Sequence, residues 1–111
     1  MAGYAKTQRE NLMPAINAPF TPSGATQSSA VTTSNTQATL PVNSGQVRFY
    51  NEGPNVARVR WGVGAQTATA TDTPLAPGAI EVLTKPPEAV NLAYICTTGT
   101  ATVHATAGEG A

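Results

Sequence analysis

The chain carries one histidine and one cysteine with which to do chemistry. His104 lies between Val103 and Ala105 in a segment with the alternation of a strand, and no Ser–His–Asp or Cys–His arrangement can be assembled around it from the sequence. Cys96 ends an apolar segment, where a free cysteine is usually buried and is unreactive without a nearby cation. The sequence therefore predicts packing or surface roles for both residues and no enzymatic activity.

Other groups that could bind or catalyse lack the spacing that such chemistry needs. Glu81 and Glu88 flank a proline-containing turn, and nothing further supports an acid–base pair. The two Gly-x-Gly segments, 62–64 and 108–110, neither open a helix nor carry the Lys and Ser/Thr of a phosphate loop. A single cysteine also leaves no disulfide within the chain and no Cys/His metal cluster. We predict no catalytic residue, no metal, no cofactor and no small-molecule substrate.

Three arginines form the clearest charge pattern. Arg58 and Arg60 are two residues apart on a predicted strand and point to one face, and Arg48 lies beside them if the two strands form a simple hairpin. Like charges on one face repel unless something anionic lies opposite. Two interpretations stay open: a solvated face balanced by Glu52 or Glu81, and an interface with acidic residues of a partner subunit.

The elements that carry these residues are predicted to be strands. From Ala30 onward the sequence is rich in Thr and Val, is punctuated by Gly and Pro, and shows no helical periodicity. The predicted strands are Ala30–Thr33, Gln37–Pro41, Gln46–Tyr50, Asn55–Val63, Gln66–Thr71, Ala79–Thr84, Val90–Cys96 and Thr100–Thr106. Eight short strands at this spacing are typical of a single antiparallel β-sandwich or jelly-roll-like domain.

Alternation within these strands predicts the core and the pairing. Four side chains of the fourth strand should face inward, namely Ala57, Val59, Trp61 and Val63. Trp61, the largest of them, is the predicted centre of the core. We expect a hairpin through the Gly- and Pro-containing turn Asn51–Pro54 and a last hairpin through Thr97–Gly99.

Composition divides the chain into an extended N-terminal arm, residues 1–28, and a β-sandwich domain, residues 29–111. Between Asn11 and Val47 there is no Asp, Glu, Lys or Arg, and several prolines block helix formation. Four apolar residues of the arm are candidate anchors for a neighbouring subunit: Leu12, Met13, Ile16 and Phe20. A flexible tail is the alternative.

The charge balance limits the classes of partner that the chain is expected to bind. The net charge is zero and 11% of residues are charged, against about 25% in an average soluble domain. A surface with so few charges favours coverage by other subunits. No basic excess supports nucleic-acid binding, and no apolar stretch reaches the roughly 20 residues of a membrane span. The chain is expected to be made and kept in the cytoplasm unless an assembled particle carries it elsewhere.

A family resemblance covers residues 38–111. The segments that carry it are Val47-Arg48-Phe49-Tyr50-Asn51-Glu52-Gly53, Ala57-Arg58-Val59-Arg60-Trp61-Gly62, Pro74-Leu75-Ala76-Pro77-Gly78, Thr98-Gly99-Thr100-Ala101 and Gly108-Glu109-Gly110. The pattern resembles small virion structural proteins of tailed bacteriophages, of the head decoration or cement type. The resemblance implies a compact β-sandwich on the capsid surface, often a homotrimer, whose partners are the major capsid protein and copies of itself.

The expected function is therefore to stabilise capsomer junctions through contacts between subunits, with the arm and the arginines Arg48, Arg58 and Arg60 as candidate contact residues. One alternative is a head–tail junction or tail component. Another is a host-surface or carbohydrate-binding adhesion module, which would need a cluster of exposed aromatic residues.

Overall fold

The computed structural model describes residues 19–110, which form two antiparallel sheets without a helix. The nine strands are β1 (Thr21–Pro22), β2 (Gln27–Val31), β3 (Thr36–Thr39), β4 (Gln46–Pro54), β5 (Ala57–Gly62), β6 (Thr73–Leu75), β7 (Ile80–Thr84), β8 (Asn91–Cys96) and β9 (Ala101–Glu109). In sheet I, β1 and β2 pair with β9, which pairs with β4, which pairs with β7. Sheet II has the order β3–β8–β5–β6. The fold is all-β and of the sandwich type, as the sequence predicts.

The two predicted hairpins are wrong. β4 and β5 lie in different sheets, and so do β8 and β9, so each connection crosses from one sheet to the other. Among the described strands, β5 and β6 are the one pair of chain neighbours that is directly hydrogen-bonded. The crossing has a packing reason. Phe49 of β4 faces Trp61 of β5 across the core, with ring centroids 6.4 Å apart, whereas a flat hairpin would place both rings on one sheet.

A buried asparagine fixes the β4–β5 crossing. β4 continues through the predicted turn to Pro54, and the chain reverses at residues 55 and 56. The Asn51 side chain donates to the carbonyls of Asn55 (2.9 Å) and Leu75 (2.7 Å) and accepts from the Gly53 amide (2.8 Å). Because Leu75 belongs to β6, this one side chain, which has no solvent exposure, ties sheet I to sheet II.

The core lies between the inward faces of the two sheets. Its largest fully buried side chains are those of Tyr94, Phe49, Leu75 and Leu92. The Phe49 and Tyr94 rings meet edge to face at 6.3 Å. The prediction that Trp61 is the centre of the core is wrong, because β5 ends one residue later and Trp61 packs against the core from its rim. Val63, also predicted inward, is 72% exposed in the following loop.

The described part of the predicted arm is joined to the sandwich. Thr21 and Pro22 lie opposite Glu109 and Gly108 of β9, and β2 begins at Gln27 and pairs with the same strand. The predicted anchors Leu12, Met13 and Ile16 lie outside the described residues.

Candidate interaction face

The outer face of sheet II is covered by the chain's own loop, residues 63–72. The side-chain amides of Asn35 and Gln37 donate to the Gln66 carbonyl (3.3 and 2.9 Å), and the Ala68 amide donates to Asn35 Oδ1 (2.7 Å). Ala68 is only 3% exposed, and Ala93, which points outward from β8, is fully buried. The predicted strand Gln66–Thr71 is wrong: the segment pairs with no strand, and the side chains of Asn35 and Gln37 bond its Gln66 carbonyl and its Ala68 amide instead.

Arg58 and Arg60 hold the end of this covering loop. Arg58 Nη1 donates to the Asp72 carbonyl (3.3 Å), and Arg60 Nε lies 3.2 Å from Asp72 Oδ1. The second carboxylate oxygen of Asp72 accepts from the Thr69 amide (2.7 Å). The anion paired with Arg60 is therefore an aspartate of the same chain, and neither Glu52 nor Glu81, which the sequence suggested.

Arg48 does not join the other two arginines, because the hairpin that would have placed it beside them is absent. It lies on the outer face of sheet I, on the opposite side of the sandwich from Arg58 and Arg60. Its side chain is half-buried and makes no hydrogen bond or ion pair with any described residue. The guanidinium is thus available to an external anion.

Beside Arg48 lies an open depression of about 360 Å³, lined by Phe20, Pro22, Gly24, Thr26, Arg48 and Thr106. Phe20, a predicted anchor for a neighbour, packs here on its own sheet. Gly108 makes that packing possible, because an added Cβ would overlap the Phe20 ring and the Thr21 carbonyl. The hydroxyls of Thr26 and Thr106 are hydrogen-bonded to each other (2.7 Å). Arg48 is the one charged residue of the lining.

The register of sheet I aligns its outward side chains in rows. One row consists of Ile80, Tyr50, His104 and Ser28, and the next of Val82, Arg48 and Thr106. Ile80 is 55% exposed and Val82 38% exposed. We call the outer face of sheet I, made by these two rows, the open face. It combines exposed apolar side chains with an unpaired cation.

A polar cluster on the open face was missed by the sequence reasoning. His104 Nδ1 lies 2.7 Å from Ser28 Oγ, His104 Nε2 lies 2.9 Å from Glu52 Oε1, and the imidazole stacks on the Tyr50 ring at 5.8 Å. Only strand register brings His104 to its two partners, since it lies 76 positions from Ser28 and 52 positions from Glu52. The sequence alone does not give this register, because it does not show which strands are neighbours in the sheet.

The cluster has the residue types of a Ser–His–Glu triad but not its setting. Ser28 lies in the middle of a strand on an open sheet face, where His104 and Glu52 side chains are 29% and 57% exposed. A serine nucleophile is usually placed at a strained turn beside amide donors that stabilise an oxyanion and in a site that excludes water. The cluster is thus a set of mutually bonded polar side chains on an exposed sheet face.

Three titratable groups elsewhere have shifted pKa values, and all three are buried: Lys85, Tyr94 and Cys96. Burial raises the pKa of the Cys96 thiol, and burial lowers the pKa of Lys85 although Glu109 and Glu88 oppose that shift. Lys85 Nζ donates to the Ser44 carbonyl at 2.9 Å. Within residues 19–110, no three His, Cys, Asp or Glu side chains gather as a metal site. In the same part of the chain, no helix is long and apolar enough to cross a membrane.

Comparison with known proteins identifies no relative: no protein-family model, no curated protein and no solved structure matches this chain.

Proposed function

We propose that this chain is a structural protein of an assembled particle, of the tailed-phage head decoration type, and that it binds its partners through the open face. The observation that carries the proposal is the difference between the two faces of the sandwich. The outer face of sheet II is covered by loop 63–72, with its arginines bound to Asp72. The open face keeps exposed apolar residues and an arginine without a partner among residues 19–110.

The chemistry of the open face defines the partner surface. Ile80 and Val82 offer apolar area, whose burial contributes about 25 cal/mol per Å². Arg48, next to the depression, suits a carboxylate of the major capsid protein, since an interfacial ion pair contributes to specificity and association rate. Many such contacts acting together would hold capsomers against the pressure of packaged DNA.

The predicted arm belongs to the same proposal. Leu12, Met13 and Ile16 would contact an adjacent subunit, whereas Phe20 packs on its own β9 at Gly108. The chain would thus be anchored to its own sheet at Phe20, and the residues before it would extend the contact area.

The adhesion alternative receives less support. A carbohydrate-binding module needs aromatic rings with free faces, but Phe49 and Tyr94 are fully buried and Trp61 packs against the core. Tyr50, on the open face, stacks on His104. The described aromatic residues therefore form no exposed platform.

Imaging of phage heads assembled with and without the chain tests the proposal. Density for the chain repeated over the whole head surface is the expected result. A single ring at the portal vertex would instead identify a head–tail junction protein. Heads that never retain the chain would contradict a structural role in the head altogether.

A further inference from the structure

Strand β7 is an edge strand that no proline interrupts, and Glu81 is its one charged residue. Natural edge strands are kept short, interrupted by proline, charged or covered, because their free amides and carbonyls pair with other chains. Of the other edge strands, β1 and β6 are two and three residues long and contain Pro22 and Pro74, and Gln37 of β3 is tied to the covering loop. β2 also pairs on one side alone and has five residues without proline, but its exposed side chains are the small ones of Ser28 and Ala30. β7 has five residues, no proline, and two exposed apolar side chains.

The hydrogen-bond pattern shows which groups of β7 are free. The Asn51 amide donates to the Ala79 carbonyl (3.1 Å), and the Lys85 amide donates to the Gly45 carbonyl (2.9 Å). These bonds place the odd-numbered residues of β7 toward β4. Because bonding direction alternates along an antiparallel strand, the backbone groups of Ile80, Val82 and Thr84 point away from β4. Within residues 19–110, no strand pairs with that side of β7.

From this edge we infer that β7 pairs antiparallel with β7 of a second copy about a two-fold axis at Val82. In that register Val82 lies opposite Val82 of the other copy, and Ile80 lies opposite Thr84, so all three outward-pointing residues form hydrogen-bonded pairs. Their side chains share the outer face, where Ile80 and Val82 are exposed in one copy. The two open faces become one continuous surface.

Charge supports a second copy as the occupant. Glu81 is the one charged residue of β7, and the register places it opposite Leu83 and not opposite the other Glu81. Like charges directly opposite each other destabilise a sheet, and this pairing has none. The joined sheet has eight strands along its hydrogen-bonded path, four from each copy, which is within the range of open sheets.

The inference rests on the proposed assembly role, and its test is separate because it needs no phage head. Sedimentation equilibrium of the full chain should give twice the 11.3 kDa monomer mass. Val82→Pro should give monomer, since it removes an outward amide and no bond to β4. Val82→Thr, which keeps the amide and the β-branched shape, should stay dimeric. A monomeric wild-type chain, or a dimeric Val82→Pro variant, would overturn the inference.

Crosslinking keeps the test valid if the proline variant fails to fold. A cysteine at Val82 should form a disulfide between copies, because hydrogen-bonded pairs have Cα atoms about 5.5 Å apart, within disulfide range. Ile80→Cys should not crosslink, since the two copies of Ile80 would be about 14 Å apart. Cys96 is buried, so the wild-type chain gives the background. A trimer without the Val82 crosslink would reject the two-fold pairing and leave the decoration role standing.

Discussion

Arg60 Nε lies 3.2 Å from Asp72 Oδ1, and this ion pair fixes the end of the loop that covers sheet II. The same carboxylate accepts from the Thr69 amide, so one side chain links the loop to β5 and also closes its last turn. Asp72 is 13% exposed and Arg60 is 45% exposed, so the pair is only partly screened by water. The consequence is that the chain's own loop covers the outer face of sheet II, whereas no loop among residues 19–110 holds Arg48 on the open face in the same way.

Asp72→Ala should lower the free energy of unfolding by about 1–2 kcal/mol, because it removes the ion pair and leaves the Thr69 amide without its acceptor. Asp72→Asn keeps an oxygen for that amide and should cost less, about 0.5 kcal/mol, the value of an exposed pair. Urea denaturation of both variants measures the difference. Equal stabilities for Asp72→Ala and the wild-type chain would show that the loop is not held by this residue.

Asn51→Ala should be the more damaging change, lowering the free energy of unfolding by about 2–4 kcal/mol. It leaves the carbonyls of Asn55 and Leu75 without their side-chain donor at a buried position. Asn43→Ala is the matched control, because Asn43 is exposed and should change stability by less than about 0.5 kcal/mol. Similar effects for the two variants would mean that Asn51 does not join the sheets.

Tyr94→Phe should stabilise the fold by about 1 kcal/mol. The Tyr94 hydroxyl is buried and has no hydrogen-bond partner, so its removal relieves a desolvation cost. The measurement is the urea midpoint at neutral pH. A destabilised Tyr94→Phe variant would show that the hydroxyl does have a partner in solution.

Alkaline pH provides a second test of Tyr94. Burial raises the pKa of Tyr94 above its ordinary value of 10.0, so its ionisation leaves the free energy of unfolding unchanged below pH 10 and lowers it as the pH rises further and the unfolded tyrosine ionises. The loss should be steeper in the wild-type chain than in Tyr94→Phe. The lowered pKa of Lys85 acts in the opposite direction, but equally in both proteins. An equal loss of stability in the wild-type chain and in Tyr94→Phe would contradict the burial of the Tyr94 hydroxyl.

Gly108→Ala should displace the Phe20 ring and β1, because the new Cβ meets that ring and the Thr21 carbonyl. Overpacking of this kind typically costs about 1–3 kcal/mol. Phe20→Ala is the comparison, since it removes the ring and leaves room for β1 to stay paired. Limited proteolysis near residue 20 should be faster in Gly108→Ala, and unchanged cleavage would contradict the close approach.

The alternation of single strands was predictable from sequence, and the pairing of strands was not. Ala57 and Val59 face inward as predicted, because side chains alternate on any strand. The Asn51–Pro54 segment has the residues of a hairpin turn, yet the local signal does not say whether the chain returns to the same sheet or crosses to the other. Whether the chain crosses to the other sheet depends on the hydrogen bond from the Asn51 side chain to the Leu75 carbonyl, and Leu75 is 24 positions away.

The candidate site was predictable only as a set of residue types. The sequence identified Arg48, Arg58 and Arg60 as unusual, but their separation onto two faces follows from sheet order. The Thr/Ala alternation of Gln66–Thr71 predicts a strand. That prediction is wrong, because the side chains of Asn35 and Gln37 donate to the Gln66 carbonyl in place of a strand partner. The roles of Leu12, Met13 and Ile16 stay predictions.

The most direct test of the open face compares two arginine variants for retention on purified heads. Arg48→Ala should fold as the wild-type chain does, since Arg48 has no bonded partner among the described residues, and it should be lost from heads on washing. Arg60→Ala should be slightly less stable but retained, because its partner is Asp72 of the same chain. Retention of Arg48→Ala together with loss of Arg60→Ala would contradict the account.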